Sequence, residues 1–358
     1  TGVMDAYPMK RRQFLQVAAG AAAAGYAFSL EHILAASKPD PTVEKVAGLP
    51  RRQLGRTGRS VSIITFPGLA LHHVEQEQCN TAVRQAFERG VNFFDVAPAY
   101  GNGVCETKLG IALQGVERDK IFLACKTKKR DAAGARAELE NSLKQLKTDR
   151  FDLYQMHHLV TEPEVRQALG PGGALETILQ AREQGKIKYI GFSAHTTKAA
   201  LAVMAGFRFD TVMFPINFTE YLNRGFGKAV LEEAKAQGAG VISIKPMSRG
   251  AWPKDTPRAR NWWYRTTEEQ EEVTLALRFA WSQPGVATGV PPSFLDLLDK
   301  AIVAAKDDRP VTAAELTRLQ ELAVGAGSLF TREEERAATA SHQPADSEWD
   351  GDCPYAMC

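Results

Sequence analysis

Four residues in this chain have the types and spacing to hand a proton to an oxygen that is gaining negative charge. They are Asp95 and Tyr100 in Phe93-Phe94-Asp95-Val96-Ala97-Pro98-Ala99-Tyr100-Gly101, Lys126 in Ile121-Phe122-Leu123-Ala124-Cys125-Lys126, and His157 in Phe151-Asp152-Leu153-Tyr154-Gln155-Met156-His157. A free tyrosine, with a pKa of about 10, keeps its proton at neutral pH and is a sluggish acid. A lysine ammonium close to the phenol favours the phenolate, and a carboxylate beside the lysine keeps that ammonium charged and in place. Tyr100 thereby becomes a usable proton donor, tuned by Lys126 and Asp95. A neutral His157 can orient the same oxygen by a hydrogen bond, so the donors stand ready before the charge develops.

Residues so far apart in the chain meet only if the fold brings strand ends together. The segments that carry them read as β-strands, and such strands alternate with helical runs along the chain. Strands are expected at residues 61–66, 92–95 and 121–126, in a run ending at His157, in Gly185-Lys186-Ile187-Lys188-Tyr189-Ile190-Gly191-Phe192-Ser193, and at 211–214, 240–245 and 286–290. Helices are expected at 75–89, where Ala82, Val83, Ala86 and Phe87 recur at helical spacing, after Gly103, at 132–146, at 164–184 with a break at 170–173, and at 268–281, 294–305 and 313–322. Eight strand–helix units predict a single α/β domain, a (β/α)8 TIM barrel, whose strands point their carboxyl ends at one mouth.

Composition fits that reading. The 358 residues are 44% hydrophobic and 24% charged, with a formal net charge of +2 and the signs interspersed, so no broad basic surface for nucleic acid is expected. Five cysteines in a chain of this length do not make a disulfide scaffold. Cys79, Cys105 and Cys125 read as small packing residues. Cys353 and Cys358, in a polar tail, are compatible with a loop disulfide, with free thiols or with an intermolecular bridge; a four-cysteine cluster would lack two ligands, and no metal site is read.

The first residues carry a separate message. Lys10-Arg11-Arg12-Gln13-Phe14-Leu15 precedes an alanine-rich apolar run, residues 17–28, that is too short to span a bilayer. The pattern resembles a twin-arginine export signal, which implies the twin-arginine export machinery as a partner and a periplasmic destination. Cleavage is expected after Ala35-Ala36-Ser37, with Ala27-Phe28-Ser29 as the weaker site. The expected organisation is a signal at 1–37, a linker at 38–50, the barrel at 51–325 and a polar tail at 326–358.

The three segments that hold Asp95, Tyr100, Lys126 and His157, in this order and spacing, resemble those of the aldo-keto reductases; so do the Ser193 segment and Leu275-Ala276-Leu277-Arg278-Phe279-Ala280-Trp281-Ser282-Gln283-Pro284-Gly285-Val286. The resemblance runs from about Arg51 to Val290. It implies reduction of an aldehyde, ketone or sugar carbonyl with NADP(H) or NAD(H), or the reverse oxidation of an alcohol. It also implies a hairpin at 52–62, turning at Gly58, that plugs the barrel, and a Glu106 that steadies the loop bearing Tyr100. The resemblance implies Ser193 as a cofactor contact; Lys245, ending the strand expected at 240–245, is placed to reach a pyrophosphate with help from Arg249, and Pro246, Met247 and Ser293 are the other expected cofactor contacts.

The sequence also departs from that pattern. Ala194 and Met213 stand where an asparagine and a glutamine would read the nicotinamide amide, and after the last strand only Lys300 offers a cation for a 2′-phosphate. A slight preference for NADPH over NADH is therefore expected. The alternative reading is an exported non-catalytic binding or scaffold protein on a degenerate barrel. Trp252, Trp262, Trp263 and Tyr264 suggest a sugar or apolar carbonyl as the small-molecule substrate.

Overall fold

The computed structural model describes residues 44–340. The twin-arginine segment, the expected cleavage sites, Cys353 and Cys358 lie outside these residues. Eight strands form one sheet in chain order: β1 (Thr65–Pro67), β2 (Phe93–Asp95), β3 (Phe122–Thr127), β4 (Phe151–Leu159), β5 (Ile187–Ala194), β6 (Thr211–Pro215), β7 (Gly240–Ile244) and β8 (Val286–Val290). Each neighbouring pair is parallel. All six residues of β3 are buried, as expected of strands covered on both faces, which read as continuous apolar runs without alternation.

The sheet closes on itself between β8 and the residues leading into β1. Ile64 and Gly289 form a parallel bridge, Gly289 donates its N–H to the Ile63 carbonyl at 2.9 Å, and the Trp281 indole N–H reaches the same carbonyl at 3.1 Å. Thr65 and Thr288 join their hydroxyls at 2.8 Å across the seam. Inside the barrel, Phe93, Phe122, Ala124, Leu153, Met213, Ile242 and Ala287 fill the space together with Leu54 and Val61. A larger apolar core lies between the strands and the helices outside them. Above the inner core, Lys126, Gln155, Gly191 and Thr211 stand in register on β3 to β6 and share one level. Gly191 has no room for a side chain, because a Cβ there would lie 2.2 Å from the Thr211 hydroxyl.

The hairpin expected at 52–62 is present as the antiparallel pair Leu49–Gln53 and Ser60–Ser62, with Gly58 in the left-handed region at φ 67°. Leu54 and Val61 belong to the inner cluster, so the hairpin does plug the barrel. Gly55 touches the barrel wall so closely that a Cβ would lie 2.1 Å from the Gly240 nitrogen, an approach only glycine permits.

Three sequence expectations need correction. Val61, expected in the first barrel strand, pairs with Arg52 in the hairpin, and the barrel strand begins at Thr65; one apolar run serves two sheets, with the chain turning between them. The linker expected at 38–50 includes a short strand, Lys45–Val46, that pairs with Leu49 and Pro50. The polar tail expected from residue 326 begins as a folded segment. Phe330 is fully buried, stacked on Phe226 with ring centroids 4.8 Å apart, and the helix Thr331–Thr339 follows it. Glu220 anchors this segment by accepting the Leu329 N–H at 2.6 Å and the Ser328 hydroxyl at 2.9 Å. Polar composition concealed it because one aromatic side chain and one buried carboxylate hold it.

Candidate active site

β2, β3 and β4 bring Asp95, Tyr100, Lys126 and His157 to one mouth. Lys126 is wholly buried, and its ammonium donates to Asp95 Oδ2 at 2.5 Å, to the Tyr100 hydroxyl at 3.0 Å and to the Val96 carbonyl at 3.3 Å. An ammonium has three protons, and each is received. Tyr100 comes from the loop after β2, which leads through Gly101 (φ 59°) and Gly103 (φ 86°) into the helix Val104–Ala112. Its ring meets His157 edge-on, with centroids 5.6 Å apart. The loop packs on His72, since a Cβ at Gly101 would lie 2.4 Å from that imidazole. Glu106, expected to steady this loop, is buried with Oε1 taking the Cys125 thiol at 3.4 Å; its nearest role is in the helix–strand core.

The electrostatics agree with the geometry. Burial alone would lower the Lys126 ammonium, but Asp95 and Tyr100 outweigh it and hold it above the ordinary lysine value. Burial pushes the Asp95 carboxyl up, and the ammonium against it opposes that push. His157 lies well below the ordinary histidine range, first by burial and then by the positive Lys126, so it is neutral at physiological pH. A phenol oxygen that accepts from an ammonium holds its own proton less tightly, and a neutral imidazole beside it can steer an acceptor.

A cavity of about 90 Å³ opens beside these groups. Its lining joins Tyr100 and His157 to Ser193, Met213, Lys245 and Ser293, so three of the residues expected at a cofactor do reach the site. Met213 takes part as a member of the inner core, whereas Ala194 packs into the outer one. Of the remaining expected contacts, Met247 is buried, Pro246 lies near Gly289, and Arg249 pairs with Glu272 at 3.0 Å; none of the three lines the cavity. Lys300 turns back to the Glu268 carbonyl. Arg260, not singled out in the sequence, lies over Phe294 and is gripped by Glu268 and Asp296, the latter at the start of the helix after β8.

Sequence reasoning also passed over His158 and His195. β4 runs two residues beyond His157, with a register shift and His158 in the left-handed region at φ 58°, its N–H held by the Ser193 hydroxyl at 2.7 Å. His195 follows β5, and its ring stands 4.4 Å from that of His158. The signal was available, since each is a histidine adjoining a strand end. Atoms of His158, His195 and Glu333 that could ligate a metal lie within 4.8 Å of one another. The surroundings disfavour a divalent cation. The Lys245 ammonium sits 3.2 Å from His195 Nε2, and since an ammonium only donates, it uses the one lone pair that a neutral imidazole has. Lys128, Arg130 and Arg336 add positive charge around His158.

Comparison with known proteins places this arrangement in context. A family model described as the aldo/keto reductase family matches residues 65–322, which span all eight strands and include Asp95, Tyr100, Lys126 and His157. L-galactose dehydrogenase of Arabidopsis thaliana is 25% identical over 238 residues, 63% of this chain and 73% of that protein. The aldo-keto reductase YhdN of Bacillus subtilis is 31% identical over 179 residues, 47% of this chain and 51% of that protein. The solved structure of the aldo-keto reductase AKR11C1 from Bacillus halodurans, in its holo form, is similar with a TM-score of 0.64 and 23% identity, over 80% of this chain and 99% of that one.

Glu333 gives the mouth a measurable pH signature. Burial pushes its carboxyl from the ordinary 4.5 up to about 7, against the pull of Lys245 and Arg336 and with the nearby Glu334 adding to the rise. The fold therefore favours the protonated form. This contribution to stability is complete below the ordinary value and is lost as the pH climbs through about 7. Glu333→Gln should melt at a temperature that gains on the wild type between pH 5 and pH 8. Calorimetry at several pH values checks this, and a difference independent of pH would count against it.

Proposed function

This chain belongs to the aldo/keto reductase family, an oxidoreductase that acts on carbonyl compounds with a nicotinamide cofactor, and we propose that Tyr100 is its proton donor. The observation that carries this reading is the fully buried Lys126 ammonium, 3.0 Å from the Tyr100 hydroxyl and 2.5 Å from Asp95. The dinucleotide, when bound, supplies the hydride. As the carbonyl oxygen gains charge, Tyr100 gives up its proton, Lys126 stabilises the phenolate left behind, Asp95 keeps Lys126 charged, and the neutral His157 holds the oxygen in line. In alcohol oxidation the same phenolate takes the proton back.

The cavity suits a flat apolar ring beside that donor. Met213, Ile244 and Val290 share its lining with Tyr100 and His157, and Ser193 and Ser293 add hydroxyl groups. We assign Ser193, Pro246, Met247 and Ser293 to the cofactor. Arg249 is engaged with Glu272, and a 2′-phosphate near the helix after β8 would have to draw Arg260 away from two carboxylates. That competition supports a cofactor site with little preference between NADPH and NADH.

Tyr100→Phe should lower carbonyl reduction about a hundredfold or more, because a proton donor acts chiefly in the transition state, while NADPH affinity stays nearly intact. Wild-type turnover in that variant would refute the assignment. Lys126→Met should slow the reaction and move the alkaline limb of its pH profile upward; an unmoved limb would exclude the tuning role. Dissociation constants for NADPH and NADH, measured by fluorescence at one salt concentration, should differ by less than about tenfold, about 1.4 kcal/mol. The leader supports export by the twin-arginine route to the periplasm. Replacing Arg11 and Arg12 with lysine should hold the protein in the cytoplasm, and undiminished export would overturn that reading.

A further inference from the structure

Lys245 stands in a costly conformation. It follows directly on β7 with its backbone in the left-handed region at φ 56°, where a residue with a side chain is strained, and it is 8% exposed. Strain of this kind persists where the surrounding structure enforces it, and it gathers at functional sites. Its side chain turns inward. The ammonium donates to His195 Nε2 at 3.2 Å, lies 5.3 Å from the centroid of the Trp263 ring, and shares the cavity lining with Tyr100 and His157.

We propose that Lys245, steadied by the His195 imidazole, receives an anionic group on the carbonyl substrate, a carboxylate or a phosphate, so that this enzyme prefers charged carbonyl compounds to neutral ones. The proposal rests on the reading of Tyr100 as proton donor and adds to it the chemistry at the other end of the substrate. His195 accepts from the lysine at Nε2, so the neutral ring carries its proton on Nδ1 and is itself a donor. Both it and His158 lie well below the ordinary histidine range, first by burial and then by positive neighbours: Lys245 on His195, and Lys128, Arg130, Lys245 and Arg336 on His158. The mouth thus carries positive charge without needing charged imidazoles, and burial raises the Glu333 carboxyl near Lys245 to about 7, so that near neutral pH it is only partly ionised. Trp262, Trp263 and Tyr264 add apolar surface to the same lining.

A dinucleotide phosphate offers the same chemistry, and the sequence alone assigned Lys245 to it. Direction favours the substrate: the side chain turns from the end of β7 toward His195 beyond β5, away from the helix after β8 where Arg260 meets Asp296.

The test compares 4-carboxybenzaldehyde with its neutral isostere 4-nitrobenzaldehyde, with NADPH and full-length protein. The ratio of kcat/KM, carboxylate over nitro, should fall at least tenfold in Lys245→Met and be largely retained in Lys245→Arg, which keeps the charge. The NADPH dissociation constant, read by fluorescence, should change less than threefold. An unchanged ratio with weakened NADPH binding would give Lys245 to the cofactor and overturn the proposal, as would a ratio and an affinity both unchanged. If the variants do not fold, inhibition of the wild type decides: benzoate should compete with the aldehyde at least tenfold better than benzamide, and equal inhibition would overturn the proposal. A wild type that binds NADPH but reduces neither aldehyde would instead overturn the Tyr100 reading, whereas one that reduces the nitro compound well and the carboxylate poorly would overturn only this inference.

Discussion

A lysine ammonium buried away from all solvent stays charged only if acceptors replace the water it has lost, and at Lys126 that requirement organises the mouth of the barrel. Asp95, the Val96 carbonyl and the Tyr100 hydroxyl are its three acceptors, so β2, β3 and the loop between β2 and the next helix must keep their relative positions. Removing either charged partner would leave the other uncompensated in a medium that cannot solvate it, which makes the pair demanding of its surroundings and worth little as a mere source of stability. The positive ammonium that these contacts hold also helps to keep His157 neutral.

The remainder of the barrel can be understood as what holds that pair still. Register between β3 and β4 sets Lys126 beside Gln155 and so places His157 one step higher, where it meets the Tyr100 ring. The inner apolar cluster, plugged from below by Leu54 and Val61, gives the strands a filled interior to pack on. On the far side of the mouth, Phe330 and Glu220 fasten the segment that carries Glu333 against His158 and His195.

Much of this could be read from the residues. Buried parallel strands appear as short apolar runs, and an ionisable residue ending such a run, as at Asp95, Lys126 and His157, is conspicuous because nothing apolar explains it. Less visible were features that depend on direction or on distant partners. Val61 lies in the plug because the run from 61 to 66 divides between two sheets, a turn that no periodicity announces. Lys245 and His158 adopt left-handed conformations usual only for glycine, so the inward aim of the one and the placement of the other could not be inferred from residue type. Arg260 meets Asp296 from 36 residues away, and the segment after residue 326 looked polar because its single deep anchor is Phe330.

The seam between β8 and β1 bears on how the chain reaches this structure. Thr65 and Thr288, which join hydroxyls there, are 223 residues apart, so nearly the whole barrel must be in place before the last neighbours can meet. Closing so large a loop is entropically unfavourable and is compensated only when the intervening strand–helix units have already ordered the chain. Until then β1 and β8 are open sheet edges, with unpaired backbone groups that another chain could bind. Local units that fold early therefore do more than build the wall: they shorten the interval in which this protein is vulnerable to its own edges.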